Sequence, residues 1–325
     1  MTPSADLRIV FRAPAGAGRG FGHLTRCVAL GRALGVRPLV ALRGGRQARE
    51  AALVLGADVL KLSTPGSLGA IRPDVVVIDD PVTRDAERWA HAARRAGAAV
   101  VTVHDLGLGA RSGDLAIDGS VTMQRKASGR GKVLSGTRFA VLDAAVSRSG
   151  AHVASSRTPR VLIALGGGPH ARRAQAIANT IALSDPRAEI RIAGGFVRGA
   201  AGRSTARVRW IGSPRGLASE LARATVAVVG GGVSLYEAAA MGVPTVSVPV
   251  VKSQVPTVLA FAKKHAAVAV PFSATPKDAA SKVVDLLNNP AMRRALTRRA
   301  RQIVDGRGAT RAAEAVARLA AGDRR

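Results

Sequence analysis

The stretch LRIVFRAPAGAGRGFGHLTRCVALG, residues 7–31, decides the fold, because a short apolar run leads through a glycine-rich loop into a helical pattern. Residues 7–11 predict a buried strand, and residues 24–34 predict a helix. The buried face of that helix follows the spacing i, i+3, i+4, i+7 and consists of Leu24, Cys27, Val28 and Gly31. A strand, a glycine loop and a helix in this order are typical of parallel α/β folds, which bind ligands where their strands end.

The same alternation of short strands and helices continues along the chain. In the first half the predicted strands are 38–42, 74–79 and 99–105, and the predicted helices are 46–55 and 84–96. In the second half the predicted strands are 160–165, 189–194, 208–212, 226–230, 245–250 and 267–270, and the closing helices are 276–288, 291–304 and 308–321. The polar stretch 147–159 is typical of a linker. We therefore predict two α/β domains with parallel sheets, residues 1–148 and 158–325.

Composition limits the class of protein. The 325 residues are 47% hydrophobic, which is enough for two cores. No apolar run approaches the roughly 18 residues of a membrane span, and the first residues lack the basic-then-apolar order of a signal peptide. Cys27 is the single cysteine, so no internal disulfide can form. These features predict a cytoplasmic protein.

The charge balance is strongly basic, since 49 Lys and Arg against 21 Asp and Glu give a formal net charge of +28. Such a field favours an anionic partner, either a phosphorylated ligand, an acidic membrane surface or nucleic acid. Aromatic residues make up only 3% of the chain and leave few stacking platforms, so nucleic acid is disfavoured. A solvated, arginine-rich surface explains the charge without any partner.

Glycine clusters follow three predicted strands, at residues 16–22, 165–168 and 229–232. Glycine lets the backbone approach a ligand closely, and the helix that follows presents free N–H groups that suit phosphate. The first cluster lacks the Gly-Lys-Ser/Thr ending of a Walker A loop. It also lacks the GxGxxG spacing and the distant acid of a dinucleotide fingerprint. Both of these common phosphate motifs are therefore disfavoured.

His23 and Arg26 lie in the first turn of the helix that follows the first cluster. A histidine near a helix N-terminus tends to stay neutral and can accept a proton. The alternative is that His23 only bonds to its own loop. Arg26 either holds a phosphate or pairs with a carboxylate, and the spacing does not decide between these roles.

Ser234 and Glu237 allow two interpretations of the third cluster. They match the capping box S-x-x-E of a helix that ends at Met241–Gly242, before Pro244. Alternatively, the Glu237 carboxylate accepts hydrogen bonds from ribose hydroxyls. Asp79–Asp80 is the only acidic pair, and the sequence offers no convincing cluster of metal ligands.

These segments together resemble a known family. GHLTRCVAL (22–30) resembles the signature GHxxRCLxLA of the UDP-sugar hydrolases of the pseudaminic acid pathway, the UDP-2,4-diacetamido-2,4,6-trideoxy-β-L-altropyranose hydrolases. GGGVSLYEAAAMGVPTVSVPVVKSQ (230–254) resembles the UDP-binding segment that this family shares with the lipid-linked N-acetylglucosaminyltransferase of peptidoglycan synthesis. Segments between these two also resemble the family's motifs, in order: 75–80, 101–107, 114–118, 134–142 and 160–168. The resemblance covers roughly residues 8–270.

The resemblance implies an α/β protein of the GT-B fold, with two Rossmann-like domains facing a central cleft. Glu237 would bind the ribose of UDP, and Gln254 would lie close to the nucleotide or sugar. His23 would act as general base on water or on an acceptor hydroxyl, and Arg26 would help to stabilise the leaving UDP. The other implied substrate-binding residues are Gly20, Gly22, Asp79, Gly167, Gly168, Gly231, Gly232 and Ser234. No metal and no cofactor are implied.

The chain departs from the family mainly on the sugar side. Gly168-Pro169-His170 stands where the family has Ser-Asp-Pro after its first two glycines, and Pro81 stands where an aromatic residue is common. UDP-sugar use is therefore better supported than the altrose substrate.

Three hypotheses remain open at this point. The first is a UDP-sugar hydrolase of surface-glycan or nonulosonic acid biosynthesis. The second is a glycosyltransferase with a lipid-linked or soluble acceptor, docked in some cases on the inner face of the membrane. The third is a binding protein without catalysis, for a nucleotide-sugar or for nucleic acid.

Overall fold

A computed structural model describes residues 7–16, 18–104, 113–122, 131–148, 158–166, 170–196, 204–213 and 216–322. The chain divides into two compact units. The first unit comprises Met1–Ala144 together with Arg307–Arg325, and the second comprises Ala145–Gly306. Within the described residues no helix is both long enough and apolar enough to cross a membrane.

The first unit is built on a seven-stranded sheet in which every neighbouring pair is parallel, in the order β3-β2-β1-β4-β5-β6-β7. Its strands are β1 (Ile9–Pro14), β2 (Leu39–Arg43), β3 (Asp58–Val59), β4 (Val75–Ile78), β5 (Ala99–His104), β6 (Leu115–Asp118) and β7 (Lys132–Ser135). Its helices are α1 (Gly22–Ala33), α2 (Arg46–Val54), α3 (Leu68–Ile71), α4 (Thr83–Arg95) and α12 (Gly308–Ala320), with short 3₁₀ turns at Pro65–Ser67 and Thr137–Phe139.

Helix α1 confirms the face predicted for it, since Leu24, Cys27, Val28 and Gly31 are all buried. Gly31 has a steric reason to be glycine. A β-carbon there would lie 2.5 Å from Cγ of Pro38, which is closer than real contacts allow. The helix therefore packs directly against the segment that enters β2 (Leu39–Arg43).

The second unit is built on a six-stranded sheet, again parallel throughout, in the order β10-β9-β8-β11-β12-β13. Its strands are β8 (Arg160–Ala164), β9 (Glu189–Ala193), β10 (Val208–Ile211), β11 (Val226–Val229), β12 (Thr245–Ser247) and β13 (Val268–Ala269). Its helices are α6 (Ala171–Ser184), α7 (Ala218–Leu221), α8 (Val233–Met241), α9 (Val255–Lys263), α10 (Pro276–Asn288) and α11 (Pro290–Ile303), with a 3₁₀ turn at Lys252–Gln254. Helix α5 (Ala144–Arg148) spans the boundary between the units.

The two parallel sheets confirm the predicted α/β class with two Rossmann-like units. The order within each sheet reverses beside its first strand in sequence, at β1–β4 and at β8–β11. Such a reversal opens a crevice at the carboxyl ends of the two strands, where ligands bind in open α/β sheets. A glycine cluster predicted from the sequence lies at each crevice, after β1 in the first sheet and after β11 in the second.

The last helix differs from its predicted place. Helix α12 was expected in the domain 158–325, yet it groups with the first unit. Its first residue, Gly308, lies so close to the backbone of Ala140 that no β-carbon fits, and Nη1 of Arg311 donates to the carbonyl of Arg138 at 2.8 Å. The alanine-rich face of α12 also packs against α1. The predicted linker 147–159 lies mostly outside the described residues.

Candidate functional site

The loop before α1 contains three glycines whose backbone conformation would strain any other residue. Gly16, Gly18 and Gly20 have φ angles of 116°, 73° and 69°, in the left-handed region that other residues avoid. The backbone groups of Gly16 and Gly20 form two hydrogen bonds of 3.0 Å across the turn. Helix α1 then begins at Gly22. This tight turn places His23 in the first helical turn, at the carboxyl end of β1.

Asp79 follows β4 directly and lies behind His23. One of its oxygens, Oδ1, is 2.7 Å from Nδ1 of His23. Arg26 binds the same carboxylate in bidentate fashion, with Nη2 at 2.7 Å from Oδ1 and Nε at 2.7 Å from Oδ2. The three side chains form a compact buried cluster, in which Asp79 is 1% exposed and Arg26 is 4% exposed.

The contacts of Nδ1 bear on which nitrogen of His23 carries the proton. Nδ1 faces both the Asp79 carboxylate and Nη2 of Arg26, which is 2.8 Å away. A proton on Nδ1 donates to the carboxylate, whereas a bare Nδ1 would accept from Nη2 of Arg26 but set its lone pair against the negative carboxylate oxygen. The carboxylate therefore favours the tautomer with hydrogen on Nδ1. Nε2 then keeps its lone pair, and the side chain is 20% exposed.

Asp79 remains ionised because of its partners. Burial alone would raise the pKa of Asp79, but the charge of Arg26 and the contacts to His23 outweigh it and hold that pKa well below the usual range. Of the two roles predicted for Arg26, the structure shows the pairing with a carboxylate. Asp79 was expected to bind substrate, which stays a prediction; in the structure His23 and Arg26 contact its two oxygens.

The neighbouring Asp80 belongs to a second, separate group of charges. Arg43 binds it through Nε and Nη2 at 3.1 and 2.6 Å, and Nε of Arg12 lies 3.4 Å from its Oδ2. Arg12 also donates to Asp85 at 3.0 Å and lies 5.1 Å from the ring centre of Trp89. Burial lowers the pKa of Arg12, although Asp80 and Asp85 oppose the shift.

The acidic pair is therefore divided between two arginine-neutralised groups. Asp79 pairs with Arg26, and Asp80 pairs with Arg43. Throughout the part of the chain that the structure describes, no group of three or more His, Cys, Asp or Glu side chains could hold a metal ion.

In the second unit a glycine loop follows β11 and is held by Gln254. The carboxamide oxygen of Gln254 accepts hydrogen bonds of 3.0 Å from the N–H groups of Gly231 and Val250. A β-carbon on Gly231 would lie 2.7 Å from Cγ2 of Val258 and 2.8 Å from Cβ of Gln254. Gln254 was expected beside the nucleotide or sugar, which stays a prediction; its oxygen holds the shape of the glycine loop.

Helix α8 begins at Val233, directly after this loop, and the capping-box interpretation is wrong. The residue before the helix is Gly232, and no side chain caps the helix start. Ser234 is the second helical residue and Glu237 the fifth, so the spacing S-x-x-E falls inside the helix. Both are partly exposed, and no acidic residue lies in the first turn. The helix ends at Gly242 in the left-handed conformation, as predicted.

The middle glycine cluster is described only at its edges, because Gly167 and Gly168 lie outside the described residues. Gly166 has a φ of 86°. His170 immediately precedes α6, and burial together with the charge of Arg173 lowers its pKa, which favours the neutral imidazole. Arg173 donates to the carbonyls of Pro249 and Ala274 at 3.2 and 3.0 Å.

The predicted site residues that the structure describes fall into one group in each unit. The first group consists of Gly20, Gly22, His23, Arg26 and Asp79. The second group consists of Gly231, Gly232, Ser234, Glu237 and Gln254. The pairing of His23 with Asp79 was missed. The available signal was that each residue follows the end of a predicted strand, but the order of the strands was needed to bring them together.

No family model matches the sequence, and no curated protein is similar enough to count as a relative. Solved structures are similar in shape along nearly the whole chain. Spinosyn forosaminyltransferase is 17% identical with a TM-score of 0.67, over 97% of this chain and 99% of that one. Spinosyn rhamnosyltransferase complexed with thymidine diphosphate is 16% identical with a TM-score of 0.66, over 96% and 100%. MurG of Acinetobacter baumannii is 15% identical with a TM-score of 0.62, over 95% and 99%.

These likenesses establish the fold, which is the GT-B type predicted for the chain. They do not single out the pseudaminic acid hydrolases, because the three proteins named above are a forosaminyltransferase, a rhamnosyltransferase and MurG.

Proposed function

We propose that the chain transfers a sugar from a nucleoside-diphosphate sugar to a hydroxyl group of an acceptor, with His23 as the general base. The proposal depends above all on the hydrogen bond between Nδ1 of His23 and the buried carboxylate of Asp79. This bond leaves Nε2 as a proton acceptor in a side chain that is still partly exposed. Such a histidine–carboxylate pair is the usual device for activating a hydroxyl group.

In the proposed reaction Nε2 takes the proton of the acceptor hydroxyl while the hydroxyl oxygen bonds to the anomeric carbon of the donor sugar. The bond between that carbon and the diphosphate oxygen breaks, and the nucleoside diphosphate leaves with the electron pair. Asp79 stabilises the imidazolium that forms, and Arg26 keeps Asp79 ionised and in place. Asp79 and Arg26 therefore act as positioning residues in this proposal.

We assign the nucleotide of the donor to the second unit. Its glycine loop 230–232 leads into the N-terminus of α8, where backbone N–H groups and the helix dipole favour a diphosphate. Glu237, one turn further along α8, is our candidate for the ribose hydroxyls. The spinosyn rhamnosyltransferase complexed with thymidine diphosphate supports a nucleoside diphosphate as the ligand class.

Hydrolysis of the same donor would use the same base on a water molecule. We favour transfer because the similar structures include two named as sugar transferases, and one of these is also solved with its spinosyn aglycone. The acceptor class is open between soluble and lipid-linked molecules, and the strong positive charge is compatible with an anionic membrane surface.

The test measures release of nucleoside diphosphate from UDP-N-acetylglucosamine and from TDP-glucose, with and without added bacterial membranes or soluble hydroxyl acceptors. We expect acceptor-dependent release that falls by about 10²- to 10⁴-fold in His23→Gln. His91→Gln, on the exposed face of α4 in the same unit, is the matched control and should keep full activity.

Release without any acceptor would show hydrolysis instead. Release that His23→Gln leaves intact would refute the assigned base. Binding of UDP or TDP without any release, across the donors and acceptors tested, would contradict the enzymatic proposal for those donors.

A further inference from the structure

The lysines of this chain are concentrated in one segment of the second unit. The sequence holds 41 arginines but only eight lysines, and five of these lysines lie between residues 252 and 282. No arginine occurs from residue 224 to residue 292, and no Asp or Glu occurs from residue 238 to residue 277. The positive charge of this stretch is therefore carried by lysine, with no acidic residue inside the stretch to balance it.

Helix α9 (Val255–Lys263) places part of this charge on its exposed face. Its buried residues are Thr257, Val258 and Phe261. On the other side four exposed residues follow one another at i, i+4, i+7 and i+11, beginning in the 3₁₀ turn that leads into the helix: Lys252, Pro256, Leu259 and Lys263. Residues with this spacing share one face of a helix, and here they span roughly 16 Å. Leu259 is 58% exposed in the middle of that face.

Two more apolar side chains lie exposed beside the start of α9. Val251 is 44% exposed and Phe272 is 40% exposed. Arg173 joins their two loops, because its guanidinium donates to the carbonyl of Pro249 at 3.2 Å and to that of Ala274 at 3.0 Å. Helix α9 also packs against β13, the strand that precedes the loop of Phe272. The exposed apolar residues and the lysines therefore occupy one side of the second unit.

We call this surface the lysine face, and its residues are Val251, Lys252, Leu259, Lys263, Lys264 and Phe272. Apolar side chains surrounded by lysines are typical of surfaces that lie in the interface of a membrane. The apolar groups enter the boundary between headgroups and acyl chains, and the long lysine stems carry their ammonium groups back to the lipid phosphates. Each lysine near an anionic bilayer adds to the attraction within about one Debye length.

We propose that the lysine face docks on an anionic lipid bilayer, with Leu259 inserted and the three lysines bound to lipid phosphates. Nucleic acid fits this surface less well. Lysine offers point charges and lacks the planar fork with which arginine binds phosphate, and Phe272 alone makes a poor stacking platform. Docking on a bilayer requires no sugar transfer, so it can be tested by binding alone.

The test is co-sedimentation of the full-length protein with lipid vesicles. One set of vesicles is pure phosphatidylcholine, and the other contains about 30% phosphatidylglycerol, which supplies the anionic surface. The lysines of the face are removed together in Lys252→Gln/Lys263→Gln/Lys264→Gln. The matched control removes three exposed lysines elsewhere and lowers the net charge by the same amount: Lys61→Gln/Lys132→Gln/Lys282→Gln.

The apolar contribution is tested separately with Leu259→Gln. Its matched control is Leu183→Gln, because Leu183 lies in α6 (Ala171–Ser184) of the same unit and is even more exposed. Circular dichroism checks that every variant is folded.

We expect the native protein to bind the phosphatidylglycerol vesicles and to be released by about 0.5 M salt, which screens surface charges. The triple change in the lysine face should lower the partition coefficient by about 100-fold, since each lysine near the surface contributes about 5-fold. The triple control should keep most of the binding. Leu259→Gln should lower the partition coefficient by about 5- to 10-fold, and Leu183→Gln should leave it unchanged.

The proposal is overturned if phosphatidylglycerol does not increase binding of the native protein, or if Leu259→Gln binds as tightly as the native chain. Equal losses in the two triple variants would assign binding to net charge and not to this face. Duplex DNA that binds through the same lysines, with no binding of vesicles, would make nucleic acid the partner. Vesicle binding and nucleotide release are measured independently, so failure of the proposed function leaves this result intact.

Discussion

Replacing Asp79 by asparagine is the sharpest test of the buried cluster. The change keeps the size of the side chain and removes a charge that makes three contacts of 2.7 Å. Arg26, which is 4% exposed, would then lose the carboxylate that it binds through Nε and Nη2. Removing one partner of a buried ion pair costs about 3–5 kcal/mol, so we expect the free energy of unfolding of the first unit to fall by about that amount.

The same substitution should lower activity strongly. Without the carboxylate, a proton on Nδ1 of His23 has lost the oxygen that accepts it. The tautomer with a free Nε2 is then no longer favoured. Asparagine in the equivalent role of a serine protease lowers turnover by about 10⁴-fold. We expect nucleoside diphosphate release to fall by about 10³- to 10⁴-fold, with nucleotide affinity unchanged.

The assay is urea unfolding followed by circular dichroism, together with the release assay. Asp58→Asn is the matched control, because Asp58 also pairs with an arginine, Arg37 at 2.8 Å, but both side chains are exposed. Exposed pairs are worth about 0–1 kcal/mol, so this control should be nearly neutral. The double variant Asp79→Asn/Arg26→Met should lose less stability than the two single changes added together.

The pH dependence gives an independent check. The pKa of Asp79 is lowered in the folded state, so its stabilisation is fully present above the ordinary aspartate pKa of about 3.9. That stabilisation is lost as the pH falls from there towards the folded pKa. The stability difference between native protein and Asp79→Asn should therefore be constant near neutral pH and shrink in acid. A difference below about 1 kcal/mol at pH 7, or one that grows in acid, would refute the reasoning.

Two further predictions concern the glycine loop of the second unit. Gly231→Ala should destabilise that unit by about 1–3 kcal/mol and weaken UDP or TDP binding, because the new methyl group would lie less than 3 Å from atoms of Val258 and Gln254. Nucleotide binding is measured by calorimetric titration, with Gly69→Ala as the control because the space around Gly69 is open. Gln254→Leu should cost about 1–3 kcal/mol for each of the two N–H groups left without an acceptor, whereas Gln254→Glu keeps the accepting oxygen and should unfold at nearly native urea concentrations.

Two kinds of strand could be predicted from the sequence: β11, whose residues form an apolar run, and β9, in which apolar and polar residues alternate. The prediction 226–230 corresponds to Val226–Val229, and the prediction 189–194 corresponds to Glu189–Ala193. Three strands were not predicted, and β6 (Leu115–Asp118) is one of them although all four of its residues are buried. Strand β3 has only two residues, and in β7 (Lys132–Ser135) three of the four residues are exposed, so neither shows an apolar run.

The site was predictable in its local parts and not in its pairings. A histidine in the first turn after a glycine loop could be recognised from neighbouring residues alone. Its partner Asp79 is 56 residues away and becomes a neighbour only because β1 pairs with β4. The capping box failed for a related reason. The spacing of Ser234 and Glu237 is compatible with two helix starts, and Gly232 provides the start that occurs.

Asp79 and Asp80 have different partners, which explains why two acidic residues follow each other at the end of β4. Consecutive residues of an extended segment point to opposite faces of a sheet, so one carboxylate meets α1 and the other meets the arginines of β1 and β2. Asp80 also accepts the N–H of Val82 at 3.0 Å, which fixes the turn that leaves the strand. Arg12 and Arg43 thereby hold the backbone on which Asp79 sits. The orientation of His23 consequently depends on charges on both faces of the sheet, and neither aspartate can be exchanged for the other.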